Sequence, residues 1–208
     1  TEVDRLAVAV TETAPFRIEI NTPPTAILQL GSLNLKVRAI RDEGFDNAIT
    51  LRLPWKPPGV SSAGTISLPK GKSEIDYPLT ANGSAAVGTW HLAVLGEANT
   101  KTGPTIVSSA LPELRVEQPY VNIKIAMTAI ERGQSGDLLC TVEQLRPFDG
   151  QAEIRLSGLP AHTSTEPRKI TEETKELIFP IASTKDARAH TSKTLFTAIY
   201  IPRNGHLL

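Results

Sequence analysis

The sequence predicts an all-β chain of two tandem antiparallel β-sandwiches, and three observations carry that prediction. Apolar residues alternate with polar ones, turn signals separate the alternating runs, and the chain matches itself at an offset of one domain length.

The alternation is the first of these. Phe16/Ile18/Ile20, Leu33/Leu35/Val37, Ile49/Leu51/Leu53, Ile75/Tyr77/Leu79 and Trp90/Leu92/Val94 are interleaved with Arg17, Glu19, Lys36, Arg38, Thr50, Arg52, Asp76 and His91. A strand turns successive side chains to opposite faces, so a period of two puts one set in a core and the other in water. Turn signals follow each run, at Asn21–Pro24, Asp42–Gly44, Pro57–Gly59 and Asn82-Gly83. Glycine, proline and asparagine supply the dihedral angles that reverse a chain. Short strands at this spacing point to sandwiches. The best helical stretch, Thr171–Glu176, matches a Gly-Lys turn in the first half and is read as loop.

The self-match sets the domain count. Phe16-Arg-Ile18-Glu-Ile20 meets Val121-Asn-Ile123-Lys-Ile125, Gly31–Val37 meets Gly136–Val142, and Arg41 meets Arg146. Further on, Glu74–Leu79 meets Glu176–Ile181 in the same order. The offset of about 105 residues is a whole domain, not the unit of a solenoid. The sequence therefore divides into sandwiches over residues 15–118 and 119–208. Residues 1–14 hold Leu6–Val10, read as the last strand of an upstream unit or an added strand. The second sandwich is expected to lack its last strand, the counterpart of Leu111–Glu117, leaving an edge that the next repeat would fill. Pro119, Tyr120 and Val121 suggest a short, stiff linker. The chain opens at Thr1 with no signal peptide and reads as an excerpt of a longer or processed protein.

Composition narrows the function classes. With 22 basic and 22 acidic residues the formal net charge is zero, against the basic excess that neutralises nucleic-acid phosphates. No apolar run is long enough for a transmembrane helix, so membrane insertion is not expected. Cys140 is the only cysteine, so neither an intrachain disulfide nor a thiolate metal site can form.

The order Ile49–Leu53, Pro57-Pro-Gly-Val60, Ile66, Gly71-Lys72, Tyr77-Pro-Leu79, Gly88-Thr-Trp90 and Val94 resembles the immunoglobulin-like and fibronectin-III-like tandem repeats of bacterial surface or secreted proteins. Modules associated with pre-peptidase C-terminal and NEW3-type domains are similar in cadence. The resemblance covers residues 16–117 well and 121–201 more loosely, since Gly158-Leu-Pro160 stands in for Pro-Pro-Gly-Val. It implies immunoglobulin-like sandwiches acting as spacers, adhesion units or accessory binding domains, and an extracellular, cell-surface or periplasmic location. This inference is one of fold.

Catalytic and metal-binding patterns are not found. His91, His162, His190 and His206 lack metal-ligand spacing, and no serine sits in a nucleophile elbow. Cys140 stands at the place of Leu35 in the repeat and is expected in the core. Asp42, Glu43 and Asp46 offer oxygen ligands that calcium would accept, though a solvated connection explains them more simply. No cofactor is expected. Asn82-Gly-Ser84 matches a glycosylation sequon and also a hairpin turn, and the turn is preferred. Trp90, on the alternating face, reads as the core tryptophan. Trp55 lies in a proline-rich segment unsuited to a central strand. With Arg52 and Lys56 beside it, Trp55 is the candidate to stack on a sugar ring or a peptide.

The expected function is a non-catalytic structural or interaction module of a larger exported or cell-surface protein. Its partners would be other domains of the same chain or separate proteins. The alternative is a carbohydrate- or peptide-binding accessory module centred on Trp55.

Overall fold

A computed structural model describes residues 13–101, 103–189, 191–192, 194–203 and 206–207 of the protein, those from Pro202 onward by backbone alone. Among them every regular element is a strand. In chain order these are β1 (Phe16–Ile20), β2 (Ile27–Leu28), β3 (Ser32–Arg41), β4 (Ile49–Arg52), β5 (Val60–Ser62), β6 (Ile66–Leu68), β7 (Glu74–Ala81), β8 (Gly88–His91), β9 (Leu95–Thr100), β10 (Gly103–Ser108) and β11 (Glu113–Glu117). There follow β12 (Val121–Ile125), β13 (Ser135–Gln144), β14 (Ala152–Ser157), β15 (Thr163–Ser164), β16 (Arg168–Ile170), β17 (Glu176–Ser183), β18 (Phe196–Tyr200), β19 (Pro202–Arg203) and β20 (His206–Leu207).

Residues up to Pro23 together with Ser32–Val116 form one compact unit, and Pro24–Gly31 together with Glu117 onward form the other. The first unit has one sheet in the order β1-β3-β7-β5 and another in the order β10-β9-β4-β6, with β8 pairing β11 beside them. Every pairing is antiparallel. This is the A-B-E-D and G-F-C layout of the immunoglobulin fold, extended by one strand beyond C. The two sheets press their apolar faces together. Phe16, Leu35, Val37, Ile49, Leu51, Leu68, Tyr77 and Leu79 are all fully buried, drawn from both sheets at alternate positions, and Val94 joins them from the link before β9. Tyr77 meets the cost of burying its hydroxyl by donating to Ala63 O at 2.9 Å.

The second unit repeats the plan with β12-β13-β17-β15 on one sheet and β16-β14-β18 on the other. Its core is built from Leu138, Cys140, Phe148, Ala152, Ile154, Phe179 and their neighbours, with Leu28 packed against them. The chain is thus all-β, with two tandem immunoglobulin-like sandwiches.

Pairing corrects the alignment of the halves at one strand. Leu35 faces Tyr77 and Leu138 faces Phe179, so Leu138, not Cys140, takes the place of Leu35. Cys140 stands where Val37 does. The cause is a shorter link from the first strand to the second, residues 126–134 against 21–31. A slip of two residues keeps every side chain on its face, so Cys140 is still fully buried. The same slip separates Arg41 from Arg146. Arg41 faces Phe16, whereas the residue facing Val121 is Gln144.

The Asn82-Gly83 turn forms as expected, with Asn82 Oδ1 accepting from both the amide and the hydroxyl of Ser84 at 2.9 Å. Thr171–Lys175 is a turn, closed by Thr174 N donating to Thr171 O. Leu6–Val10 lies outside the described residues.

Candidate binding surface around Trp55

The connection from β4 to β5 carries Trp55, and backbone bonds hold that connection tightly. Leu53 and Pro57 are buried on either side of it. Val60 N donates to Pro57 O, Asn82 N to Gly59 O, and Ala86 N to Pro58 O at 2.9 Å. Gly59 has φ +79°, and a Cβ there would stand 2.5 Å from Ala85 Cα, so only glycine lets the two segments meet. The loop is therefore clamped to residues 82–86 at its base, and Trp55 projects from a rigid support.

Trp55 is 49 % exposed. Its ring lies 5.7 Å from that of Trp90, tilted by 46°. Trp90 itself is only partly buried, which corrects the expectation of a core tryptophan. Its indole N–H donates to Ala86 O at 3.0 Å, which orients the ring. Leu92 and Val94, further along the same apolar face, do reach the core. Sequence alternation placed Trp90 on the correct side of the strand without revealing that Trp55 covers it. Arg52 and Lys56 are partly exposed, and among the described residues neither makes an ion pair or a side-chain hydrogen bond. The arrangement offers one indole face to a planar or apolar ligand surface, with two cations on the same stretch of chain.

The other candidates do not converge. His91 is exposed on β8, and His162 is exposed in a turn with φ +64°. His190 and the side chain of His206 lie outside the described residues. Burial pushes the Cys140 thiol up from its ordinary pKa, which keeps it protonated and unreactive. Asp46 faces Lys70 at 3.8 Å, and among the described residues no three His, Cys, Asp or Glu side chains are grouped to hold a metal ion.

Two arginine corners escaped the sequence reading. Arg41 lies over Phe45 at 5.7 Å, Phe45 stacks on Phe16 at 5.2 Å, and the guanidinium donates to Asn47 O and Lys72 O. Arg146 lies 4.6 Å from the Tyr120 ring and 2.9 Å from Glu117 Oε2. The only sequence signal was an arginine near the end of the second strand of each half, Arg41 as the last residue of β3 and Arg146 two residues past β13.

No known protein family matches the chain, and no curated protein does. Among solved structures, a protein of unknown function from Porphyromonas gingivalis W83 is similar at 10 % identity and a TM-score of 0.35, over 82 % of this chain and 84 % of its own. The D0-D1 domain of intimin is similar at 9 % identity and 0.31, over 81 % and 84 %. The D00-D0 domain of intimin gives 12 % and 0.26, over 88 % and 98 %. At these scores the similarities decide neither fold nor role, and the fold rests on the strand pairing above.

Proposed function

We propose that this chain is a non-catalytic structural and interaction module of a larger exported or cell-surface bacterial protein, spacing or presenting neighbouring domains. The observation that supports it is the duplication: two sandwiches share one strand layout. Such a repeat adds length in rigid units, and its loops remain free for protein partners. Pulling the chain from its two ends in a force spectrometer tests the mechanical half. Two separate unfolding events, each releasing about one domain of chain, are expected; unfolding without a force peak would remove the spacer role. Antibody against the chain should also label intact, unpermeabilised cells of the source organism.

The exposure of Trp55 favours a second reading, a carbohydrate- or peptide-binding surface centred on Trp55 with Arg52 and Lys56. An aromatic face is a common platform for an apolar ligand surface, and cations nearby would favour acidic sugars or peptides. Intrinsic fluorescence titrated against polysaccharides and cell-wall fragments, with Trp55→Ala in parallel, decides it. A saturable shift lost in the variant supports the site; a flat response across the panel rules it out.

A further inference from the structure

The strand behind Trp55 narrows the class of ligand. Trp90, whose ring Trp55 covers, belongs to β8. That strand has β11 on one side and, among the described residues, no strand on the other. Leu92 N donates to Pro112 O, so the backbone groups of Trp90 and Gly88, two and four residues back, also turn toward β11. Those of Thr89 and His91 turn the other way. Both residues are exposed, and among the described residues nothing meets their amides or carbonyls.

Lysine or proline commonly guards such an edge against another strand, and Gly88-Thr-Trp-His91 holds neither. Thr89 and His91 present N–H and C=O groups in strand alternation, a spacing that a peptide backbone repeats and a ring of sugar hydroxyls does not. The exposed indole of Trp55 stands beside this edge, fixed through its contact with Trp90. Arg52 and Lys56, three residues before it and one after, make no ion pair among the described residues.

We propose that the free edge of β8 and the Trp55–Trp90 pair form one docking site, whose occupant is an extended, acidic peptide segment of a partner protein added antiparallel to β8. This rests on the binding role of Trp55 given above and goes further by naming the ligand.

The chemistry of the occupant follows from the register. An antiparallel segment exchanges backbone bonds with Thr89 and with His91, which leaves its middle residue opposite Trp90 at a non-hydrogen-bonded position, where side chains stand closest. That side chain shares the face of Trp90 and meets the indoles, so it must be apolar. Proline is accepted there, because its nitrogen points away from β8. The residues on either side of it need free amides. The unpaired cations favour acidic flanks. Four backbone groups from two residues are few, so the edge sets the register and the rings supply most of the hold.

The test titrates the full chain with the capped peptide Ser-Asp-Thr-Leu-Thr-Asp-Ser and two relatives, one N-methylated at both threonines and one at the leucine. Intrinsic fluorescence reads binding, and amide hydrogen exchange reads Thr89 and His91. The parent and the leucine-methylated peptide should bind within about twofold of each other, and the threonine-methylated peptide about tenfold or more weaker. At saturation the Thr89 and His91 amides should exchange about tenfold more slowly. Equal binding of all three peptides, lost in Trp55→Ala, would overturn strand addition and leave the binding role of Trp55 standing. Saturation by polysaccharides with no response to any peptide would also overturn it, making Trp55 a sugar platform. No response to either class of ligand would remove both the edge site and the role of Trp55.

Discussion

Gly96 shows how single residues tune the two cores. A Cβ at Gly96 would stand 2.6 Å from Ile18 Cγ1 and 3.2 Å from Ile49 Cγ2, so the glycine makes room for two isoleucines. In the second sandwich the counterpart of Gly96 is Ile199, and that of Ile49 is the fully buried Ala152. Bulk has moved from one strand to its neighbour. Gly96→Ala should therefore cost about 1–3 kcal/mol in chemical denaturation, from overpacking. Adding Ile49→Ala should cost less than the sum of the two single changes, because they share one space. Cys140 offers a second test. Its folded pKa is raised by desolvation, so the thiol favours the folded state fully at pH values below the ordinary thiol range. That contribution is lost as pH rises through that range toward the folded value, because the unfolded chain ionises first. Denaturation midpoints should fall on the alkaline side, and Cys140→Ala should flatten that fall.

Strands were the most legible part of the sequence, because a half-buried strand writes its period of two directly into residue order. The register between halves was less so. Identity of a few residues aligned Leu35 with Cys140, while the pairing of Leu138 with Phe179 shows a two-residue difference hidden in a loop. A loop length has no alternation to betray it. Trp55 could be picked out because proline surrounds it, but its contact with Trp90 joins residues far apart in sequence and left no local mark. The outer face of the β3–β7 pair offers an element-scale prediction. Lys36 faces Asp76 and Arg38 faces Glu74, each with charges 4.0 Å apart, and at the first of these positions the second unit has Leu139 facing Ile178. Both arrangements are exposed, and exposed ion pairs contribute little. Replacing Leu139 with lysine and Ile178 with aspartate together should change stability by less than about 1 kcal/mol, measured by urea titration.

At the scale of the whole molecule, the compact units do not follow the simple halves of the sequence. Pro24–Gly31 belongs with the second unit, where Leu28 packs on the core and Gln29 N donates to Glu117 O at 2.9 Å. Leu28→Ala should therefore weaken the second sandwich, by about 1–2 kcal/mol for a partly buried leucine, and leave the first unchanged. Hydrogen exchange resolved by strand would show protection falling in β13 and β17 but not in β3 and β7. The exchange of bulk between Gly96 with Ile49 and Ile199 with Ala152 has a genetic consequence. Duplicated halves invite recombination, and a crossover that delivered the second F strand into the first sandwich would set an isoleucine against Ile18 and Ile49. Each half has become a lock that the other's key no longer turns, so a chimera carrying β18 in place of β9 should fold less stably than the parent chain.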